Sequence, residues 1–221
     1  MIELKIASVL KNKWNHIAIG SLEADVIVKD SDKELLKELD QASTDFASNN
    51  KVEDISKIQI ISDSRKAYRA LGKDPSRYRL SSEALLRRIV KEKGIYHINN
   101  IVDINNLISI TSYYSICAFD IYSIKPPVFF TIGTKDDEYY GIGRGLLNIE
   151  NLPVFEDQVG KFGSPTSDSE RVMIKDTTHK ISMNVISFSG ANNLEIQLNR
   201  LKDYLIRFAE AKTVETKIIT V

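Results

Sequence analysis

The sequence is poor in the residues that build disulfides and metal sites: it has a single cysteine, Cys117, and three histidines. One cysteine excludes an internal disulfide and also a zinc site made from cysteines. The histidines are His16, His97 and His179, and they are too scattered to show a metal-ligand spacing. We therefore expect no metal and no cofactor. The absence of a disulfide framework favours the cytoplasm as the compartment.

Long hydrophobic runs and common catalytic motifs are also missing. No apolar run approaches the roughly 18 residues that a membrane span needs, and the stretch MIELKIASVLKNKW lacks the layout of a signal peptide. The sequence has no P-loop, no HExxH, no GxSxG and no GxGxxG between a strand and a helix. The GIGRG stretch at 141–145 lies between strand-like segments and predicts a turn or a β-bulge. These absences argue against a membrane partner and against the enzyme classes that those motifs define.

What is present is an ordinary globular composition. The 221 residues are 43% hydrophobic and 27% charged, which excludes a disordered or collagen-like chain. A chain of this length fits around one hydrophobic core, so we predict a single domain over residues 1–221.

The first half of the chain predicts mostly helices. The segments IELKIASV and HIAIGSLEADVIV alternate apolar and polar residues, which is typical of strands. Apolar residues then recur at helical spacing from Asp32 to Ala47, with Ser31 as the predicted N-cap. Two further helices are predicted, one over 63–71 that stops at Gly72 and one that runs from Ser81/Ser82 to Gly94.

The second half predicts mainly strands. The segments VFFTIG, EYYGIG, LPVFEDQVG, RVMIKDTTHK and ISMNVISFS are separated by turn residues, a pattern typical of an antiparallel sheet. An amphipathic helix over about 192–211 and a last strand, VETKIITV, complete the chain. The predicted fold class is α+β: a single compact domain with helices mainly in the first half, a mainly antiparallel sheet in the second half and a C-terminal amphipathic helix.

The charge is balanced overall but uneven along the chain. Lysine and arginine total 30 and so do aspartate and glutamate, which argues at first against a nucleic-acid partner. Residues 65–93, however, hold ten basic and three acidic side chains. This segment is either a solvated helical face that pairs with its acidic flanks or a local phosphate-binding surface. A single local patch is suited to binding one end of an RNA and not to binding along a long duplex, so we expect no DNA partner. The candidate RNA-binding residues are Arg65, Lys66, Arg69, Lys73, Arg77, Arg79, Arg87 and Arg88.

Three motifs in a fixed order give the sequence a family resemblance. Ser81–Ile89 reads SSEALLRRI, Val102–Asn106 reads VDINN, and Cys117–Asp120 reads CAFD. In this order they resemble the B3/B4 domain of the phenylalanyl-tRNA synthetase β subunit. The later stretch Phe162–Arg171, FGSPTSDSER, is similar to the version found in free-standing B3/B4 proteins. The resemblance covers roughly residues 55–210.

This resemblance implies an editing function. In the synthetase the domain hydrolyses the ester of tyrosine wrongly attached to the tRNA, so a free-standing chain would be a trans-acting aminoacyl-tRNA deacylase. The Thr-Asn pair of the family pocket matches Asn105 and Asn106, and the family histidine that helps to recognise the tyrosine hydroxyl matches Cys117. A family glutamate falls near Asp168–Glu170. The candidate substrate pocket comprises Asn105, Asn106, Cys117, Ser164, Ser167, Asp168, Ser169, Glu170 and Arg171.

Such a site needs no covalent nucleophile, because an aminoacyl ester is already activated. It can position a water against the ester carbonyl, while backbone N–H groups of the loop 163–169 stabilise the oxyanion. The implied partner is the acceptor end of a tRNA that carries an aminoacyl ester, or a free amino acid. No class II synthetase motif is present, so no aminoacylation activity is expected. The sequence assigns no single catalytic residue.

Two other functions stay open at the level of sequence. One is a non-catalytic module that binds an amino acid or a peptide terminus, and the other is a tRNA-binding accessory protein without activity. The same residues also have structural interpretations. Asn105 and Asn106 are also typical of capping or internal hydrogen bonding, and Cys117 of a small buried hydrophobic residue. The loop 163–169 is also typical of a polar hairpin loop. Helix initiation would explain Ser81, Ser82 and Glu83, and fixing of the local backbone would explain Asp103 and Asp120.

Overall fold

Helices dominate the first half of the chain in the computed structural model, which describes all 221 residues. Two strands and six helices precede residue 113. They are β1 (Leu4–Ile6), α1 (Ser8–Lys13), β2 (Ala18–Asp25), α2 (Lys33–Asn49), α3 (Val52–Ile55), α4 (Gln59–Leu71), α5 (Ser81–Val90) and α6 (Asn100–Ser112).

Strands dominate the second half, and one long helix lies near the C-terminus. These elements are β3 (Ser115–Asp120), β4 (Val128–Ile132), β5 (Glu138–Gly141), β6 (Gly145–Asn148), β7 (Pro153–Glu156), β8 (Lys161–Gly163), β9 (Lys180–Ser187), α7 (Leu194–Ala209) and β10 (Lys212–Thr220). The α+β fold class predicted from the sequence is confirmed. No helix combines the length and the hydropathy needed to cross a bilayer.

The strands form two sheets of four and one hairpin. One sheet has the order β10-β2-β9-β3, and all its neighbouring pairs are antiparallel. The other has the order β1-β4-β7-β8, in which β1 and β4 are parallel and the remaining pairs antiparallel. Strands β5 and β6 form the hairpin. The sheet in the second half is therefore mainly antiparallel, as the sequence predicts.

Aromatic side chains join the two sheets. Phe119 of β3 meets Phe155 of β7 and Phe162 of β8 edge to face, with ring centroids 5.3 and 5.0 Å apart. Phe130 of β4 lies 4.6 Å from Phe155. Edge-to-face contacts of this kind add to the free energy that comes from burying the rings. The 52 buried hydrophobic residues of the chain form one continuous cluster.

Several local predictions are wrong. The segment 171–179 forms no strand, because a single 3₁₀ turn at Glu170–Val172 is followed by a loop. In this loop the Thr178 N–H donates to the Lys175 carbonyl and the Thr178 hydroxyl accepts from the Lys175 N–H, which closes a turn. The N-cap of α2 is Asp32, whose carboxylate accepts from the N–H groups of Glu34 and Leu35. Ser31 instead donates its hydroxyl to Asp103.

The start of α5 also differs from the predicted N-cap. The helix begins at Ser81, but the N-cap position is Leu80, and no side chain caps it. The hydroxyl of Ser82 is buried against the hydroxyl of Ser115 at 3.1 Å, so it joins α5 to β3. The predicted stop of α4 is confirmed, because Gly72 ends the helix with φ 91°, a conformation that favours glycine.

Candidate nucleic-acid interface and substrate pocket

A cavity of about 470 Å³ opens between α5, α6 and the turn that joins β5 to β6. Its lining includes six basic side chains and no acidic one, and we call it the basic cavity. Asn106 of α6 and Ser81 of α5 add uncharged polar groups. The ten lining residues are Arg79, Ser81, Ala84, Leu85, Arg87, Arg88, Lys91, Lys93, Asn106 and Arg144.

A buried carboxylate positions one wall of the basic cavity. Glu83 lies in the first turn of α5, has no exposed side chain, and accepts from Arg87 Nε at 2.8 Å one helical turn later. The same carboxylate accepts from Arg65 Nη1 of α4 at 2.9 Å. Both terminal nitrogens of Arg87 keep no partner inside the protein, so its planar fork stays free for an anion. One carboxylate between two guanidinium groups leaves this cluster with a net positive charge.

The opposite wall carries Arg144, which belongs to the GIGRG stretch. This stretch is the turn of the β5–β6 hairpin, as the sequence predicts, and Gly143 and Gly145 have positive φ there. The turn is fixed to the segment 164–171: Ile142 N–H donates to the Asp168 carbonyl at 3.0 Å, and Gly141 pairs with Ser169 in an isolated β-bridge. Arg144 is therefore held on a short, well-anchored turn.

The segment 164–171, which we call the polar loop, joins the two walls. The Pro165 carbonyl accepts from Ser81 N–H at 2.7 Å, which fixes the loop to the start of α5. Inside the loop, Ser164 Oγ accepts from the Ser167 N–H and from Tyr139 Oη. The loop is thus an ordered turn that is hydrogen-bonded both to the start of α5 and to the β5–β6 hairpin.

A buried polar cluster lies beneath the polar loop. Asp168 Oδ2 accepts from Ala118 N–H at 3.2 Å, while Oδ1 is inaccessible to solvent and has no hydrogen-bond partner. Burial raises the pKa of Asp168 to about 7. Burial, and secondly the neighbouring Asp168, raise the pKa of the Cys117 thiol well above its usual value. Tyr68, also buried, shares a hydrogen bond with the Thr166 hydroxyl at 3.0 Å.

Residues 63–209 match the B3/4 domain family. The chain belongs to the B3/4 domain family. The resemblance inferred from the motifs is thereby confirmed, and the matched B3/4 region includes α5, α6, the β5–β6 hairpin and the polar loop.

One solved structure similar to this chain is described as an N-terminal fragment of the phenylalanyl-tRNA synthetase beta-subunit from Pyrococcus horikoshii. The identity is 14% and the TM-score is 0.45. The match covers 99% of this chain and 52% of that chain, so this protein spans about half the length of that relative. No curated protein matches the sequence.

Within the B3/4 region, the residues expected to form the substrate pocket fall into separate environments. Asn106 lines the basic cavity. Asn105 faces inward, where its amide donates to the Ile116 carbonyl at 3.2 Å and accepts from Ser109. Arg171 binds Asp157 at 2.9 Å, and Glu170 is exposed. Cys117, Ser164, Ser167, Asp168 and Ser169 form the polar loop and the cluster beneath it.

The candidate RNA-binding residues of the B3/4 region also divide by environment. Arg79, Arg87 and Arg88 line the basic cavity. Arg65 and Lys73 are buried, and Lys73 donates to the Glu150 carbonyl at 2.6 Å. Three others lie outside the cavity: Lys66 is paired with Asp63, and Arg69 and Arg77 are exposed.

Two residues that contribute to the basic cavity were missed at the sequence level. Arg144 lies far along the chain from residues 65–93, and only the hairpin brings it to α5. The sequence pattern predicts Glu83 only as part of a helix start, although its carboxylate binds two arginines. The spacing of four residues between a glutamate and a following arginine on a helix predicts an ion pair of this kind, so the Glu83–Arg87 pair could be predicted from the sequence.

Proposed function

We propose that this protein hydrolyses the ester that joins an amino acid to the 3′ end of a tRNA. The observation that carries the proposal is the basic cavity, in which six cations and no anion surround the free amide of Asn106. The B3/4 family membership supports it, because the motifs that resemble the editing domain include Asn106 and the polar loop.

The basic cavity suits the sugar-phosphate backbone near the acceptor end. Arginine forks bind phosphate oxygens in pairs, and four of the six cations are arginines. Five of these cations belong to α5 and its flanking residues and the sixth, Arg144, to the hairpin turn, so a single strand that enters the cavity meets positive charge from both elements. Binding of this kind weakens as salt concentration rises, since it releases counterions from the RNA.

Two polar groups at the cavity surface fit the chemistry of ester cleavage. The Asn106 amide and the Ser81 hydroxyl have no hydrogen-bond partner inside the protein, and both line the cavity. In the proposed reaction a water oxygen attacks the ester carbonyl carbon, the bond to the ribose oxygen breaks, and the ribose hydroxyl leaves. The Asn106 amide would donate to the carbonyl oxygen as negative charge develops there. Cys117 takes no part as a nucleophile in this scheme, because its raised pKa keeps it a thiol.

Deacylation of mischarged tRNAs tests the proposal. We expect the protein to release amino acid from at least one mischarged tRNA. Charge-assisted hydrogen bonds contribute about 1.5–3 kcal/mol each, so Arg144→Ala should lower kcat/KM by roughly 10- to 100-fold and reduce the salt dependence of tRNA binding. Asn106→Ala should lower kcat and leave tRNA affinity unchanged. The control is Lys202→Ala, which removes an exposed cation of α7 outside the cavity.

Release from none of the tested tRNAs would contradict hydrolysis. Retained tRNA binding would then support the second candidate, a non-catalytic module that binds tRNA or an amino acid. One observation favours that candidate: the amide of Asn105, which the family resemblance places in the pocket, is used for internal hydrogen bonds. If wild type and Arg144→Ala bind tRNA equally well, the basic cavity is not the tRNA-binding site in either proposal.

A further inference from the structure

Strand β10 leaves one long edge of its sheet without a partner. It is nine residues long and ends the order β10-β2-β9-β3, with β2 as its only hydrogen-bonded neighbour in the sheet. Outside that ladder, no backbone hydrogen bond involves residues 213–220. The N–H and C=O groups of the outer edge therefore have no partner within the chain. An open edge of this length is a template for pairing with a further strand.

The edge of β10 carries lysines at positions 212 and 217 and a register shift before Glu215, which are devices that blunt an edge, but the stretch from Glu215 to Thr220 contains no proline and no shift. Lys212–Thr220 reads KTVETKIIT, with no proline, and it is rich in β-branched residues that favour strands. The strand pairs with β2 without interruption from Glu215 to Thr220, and a register shift occurs only between Lys212 and Glu215. Ile218 is 38% exposed, so an apolar side chain stands at this open edge.

We propose that two copies of this protein associate through antiparallel pairing of their β10 strands, with Thr216 opposite the partner's Thr216. In this register Glu215 lies opposite the partner's Lys217, and by symmetry Lys217 lies opposite the partner's Glu215. Directly opposed unlike charges and paired β-branched side chains both stabilise a sheet.

The neighbouring registers are less favourable. If the two-fold axis passes through residue 215, Glu215 lies opposite the partner's Glu215. If it passes through residue 217, Lys217 lies opposite the partner's Lys217. Like charges directly opposite each other destabilise a pair of strands. Charge thus selects the register centred on Thr216, and a closed two-fold pairing uses the edge of each copy once, so the association stops at a dimer.

The position of β10 keeps this interface away from the proposed site. Strand β3, which carries Cys117, is the opposite edge of the same sheet. Pairing joins the two four-stranded sheets into one continuous sheet with both β3 strands at its ends. Both basic cavities stay open in the dimer, so this inference does not depend on the proposed function.

Sedimentation velocity of the full chain over a range of protein concentrations tests the dimer. We expect wild type to dimerise, and we expect Glu215→Lys and Lys217→Glu each to raise the dimer dissociation constant at least about tenfold, because both turn two attractive pairs into repulsive ones. An equimolar mixture of the two variants should form heterodimers, since the lysines at positions 215 and 217 of one variant then face the glutamates at positions 217 and 215 of the other. The double variant Glu215→Lys/Lys217→Glu should dimerise as wild type does.

Circular dichroism and thermal unfolding show whether each variant is folded, which matters because Glu215 also contacts the Met1 amine at 3.3 Å. The mixing experiment remains decisive if one variant loses some stability. A wild type that stays monomeric at every concentration overturns the proposal. So does an unchanged dimer dissociation constant in both single variants, or a mixture that forms no heterodimer.

Discussion

Glu83→Gln is expected to lower the free energy of unfolding by about 3–5 kcal/mol, because removal of one partner leaves a buried ion pair uncompensated. The Arg65 side chain is only 11% exposed and binds Glu83 through Nη1, so its charge cannot reach water without opening the helix pair. Arg87 is 22% exposed and reaches solvent more easily. Chemical denaturation followed by circular dichroism measures the change.

Two comparisons show whether the lost charge is the cause. Glu92→Gln, at an exposed position just beyond α5, should change the unfolding free energy by less than about 0.5 kcal/mol. In the double variant Arg65→Met/Glu83→Leu both buried charges are replaced by apolar groups, and it should be more stable than Glu83→Leu alone. A double variant that is less stable than Glu83→Leu would mean that packing, and not the unpaired charge, dominates.

Asp168 is expected to make the protein less stable as the pH rises. Its pKa is about 7 in the folded protein against 3.8 for an ordinary aspartate, because burial disfavours the charged carboxylate. Between these values the folded state binds a proton that the unfolded state has released, so the free energy of unfolding falls with increasing pH. The stabilisation is complete below the unfolded pKa and is lost as the pH passes the folded pKa. At about 1.4 kcal/mol for each unit of pKa shift, the loss amounts to about 4 kcal/mol.

The variant Asp168→Asn isolates this contribution. It keeps a carbonyl oxygen for the Ala118 N–H but has no proton to lose. Between about pH 4 and about pH 8 its unfolding free energy should therefore rise relative to wild type by about 4 kcal/mol. Asp176→Asn, at an exposed loop position, serves as the control and should track wild type. A difference between Asp168→Asn and wild type that stays constant with pH would contradict the shifted pKa.

Elements whose apolar residues recur at strand or helical spacing could be predicted from the sequence. Strands β2 and β9, helix α7 and the last strand all lie where alternation or helical spacing places them. Helix α6 was not predicted, because Ile101, Ile104, Leu107 and Ile108 are buried together with several polar residues and leave no exposed stripe. The strand expected at 171–180 failed for a different reason, since local turn bonds at Thr178 outweigh its β-branched composition.

The candidate site could be predicted only in part. The basic segment 65–93 and the motif residue Asn106 were readable, and Arg79, Arg87 and Arg88 do line one cavity with Asn106. Burial of Arg65 and Lys73 was not readable, because a sequence does not show which cations of a helix are already bonded to a carboxylate or a carbonyl. The contribution of Arg144 depends on a tertiary contact between the hairpin and the polar loop.

The single thiol of Cys117 can be used to measure how often the structure around the polar loop opens. The thiol is 2% exposed and lies under the polar loop, so a thiol-reactive dye reaches it only when β3 separates from that loop. Because the sequence has no second cysteine, the labelling rate reports exposure of this one thiol alone. Comparing that rate with the rate of global unfolding shows whether the polar loop separates from β3 without unfolding of the whole protein.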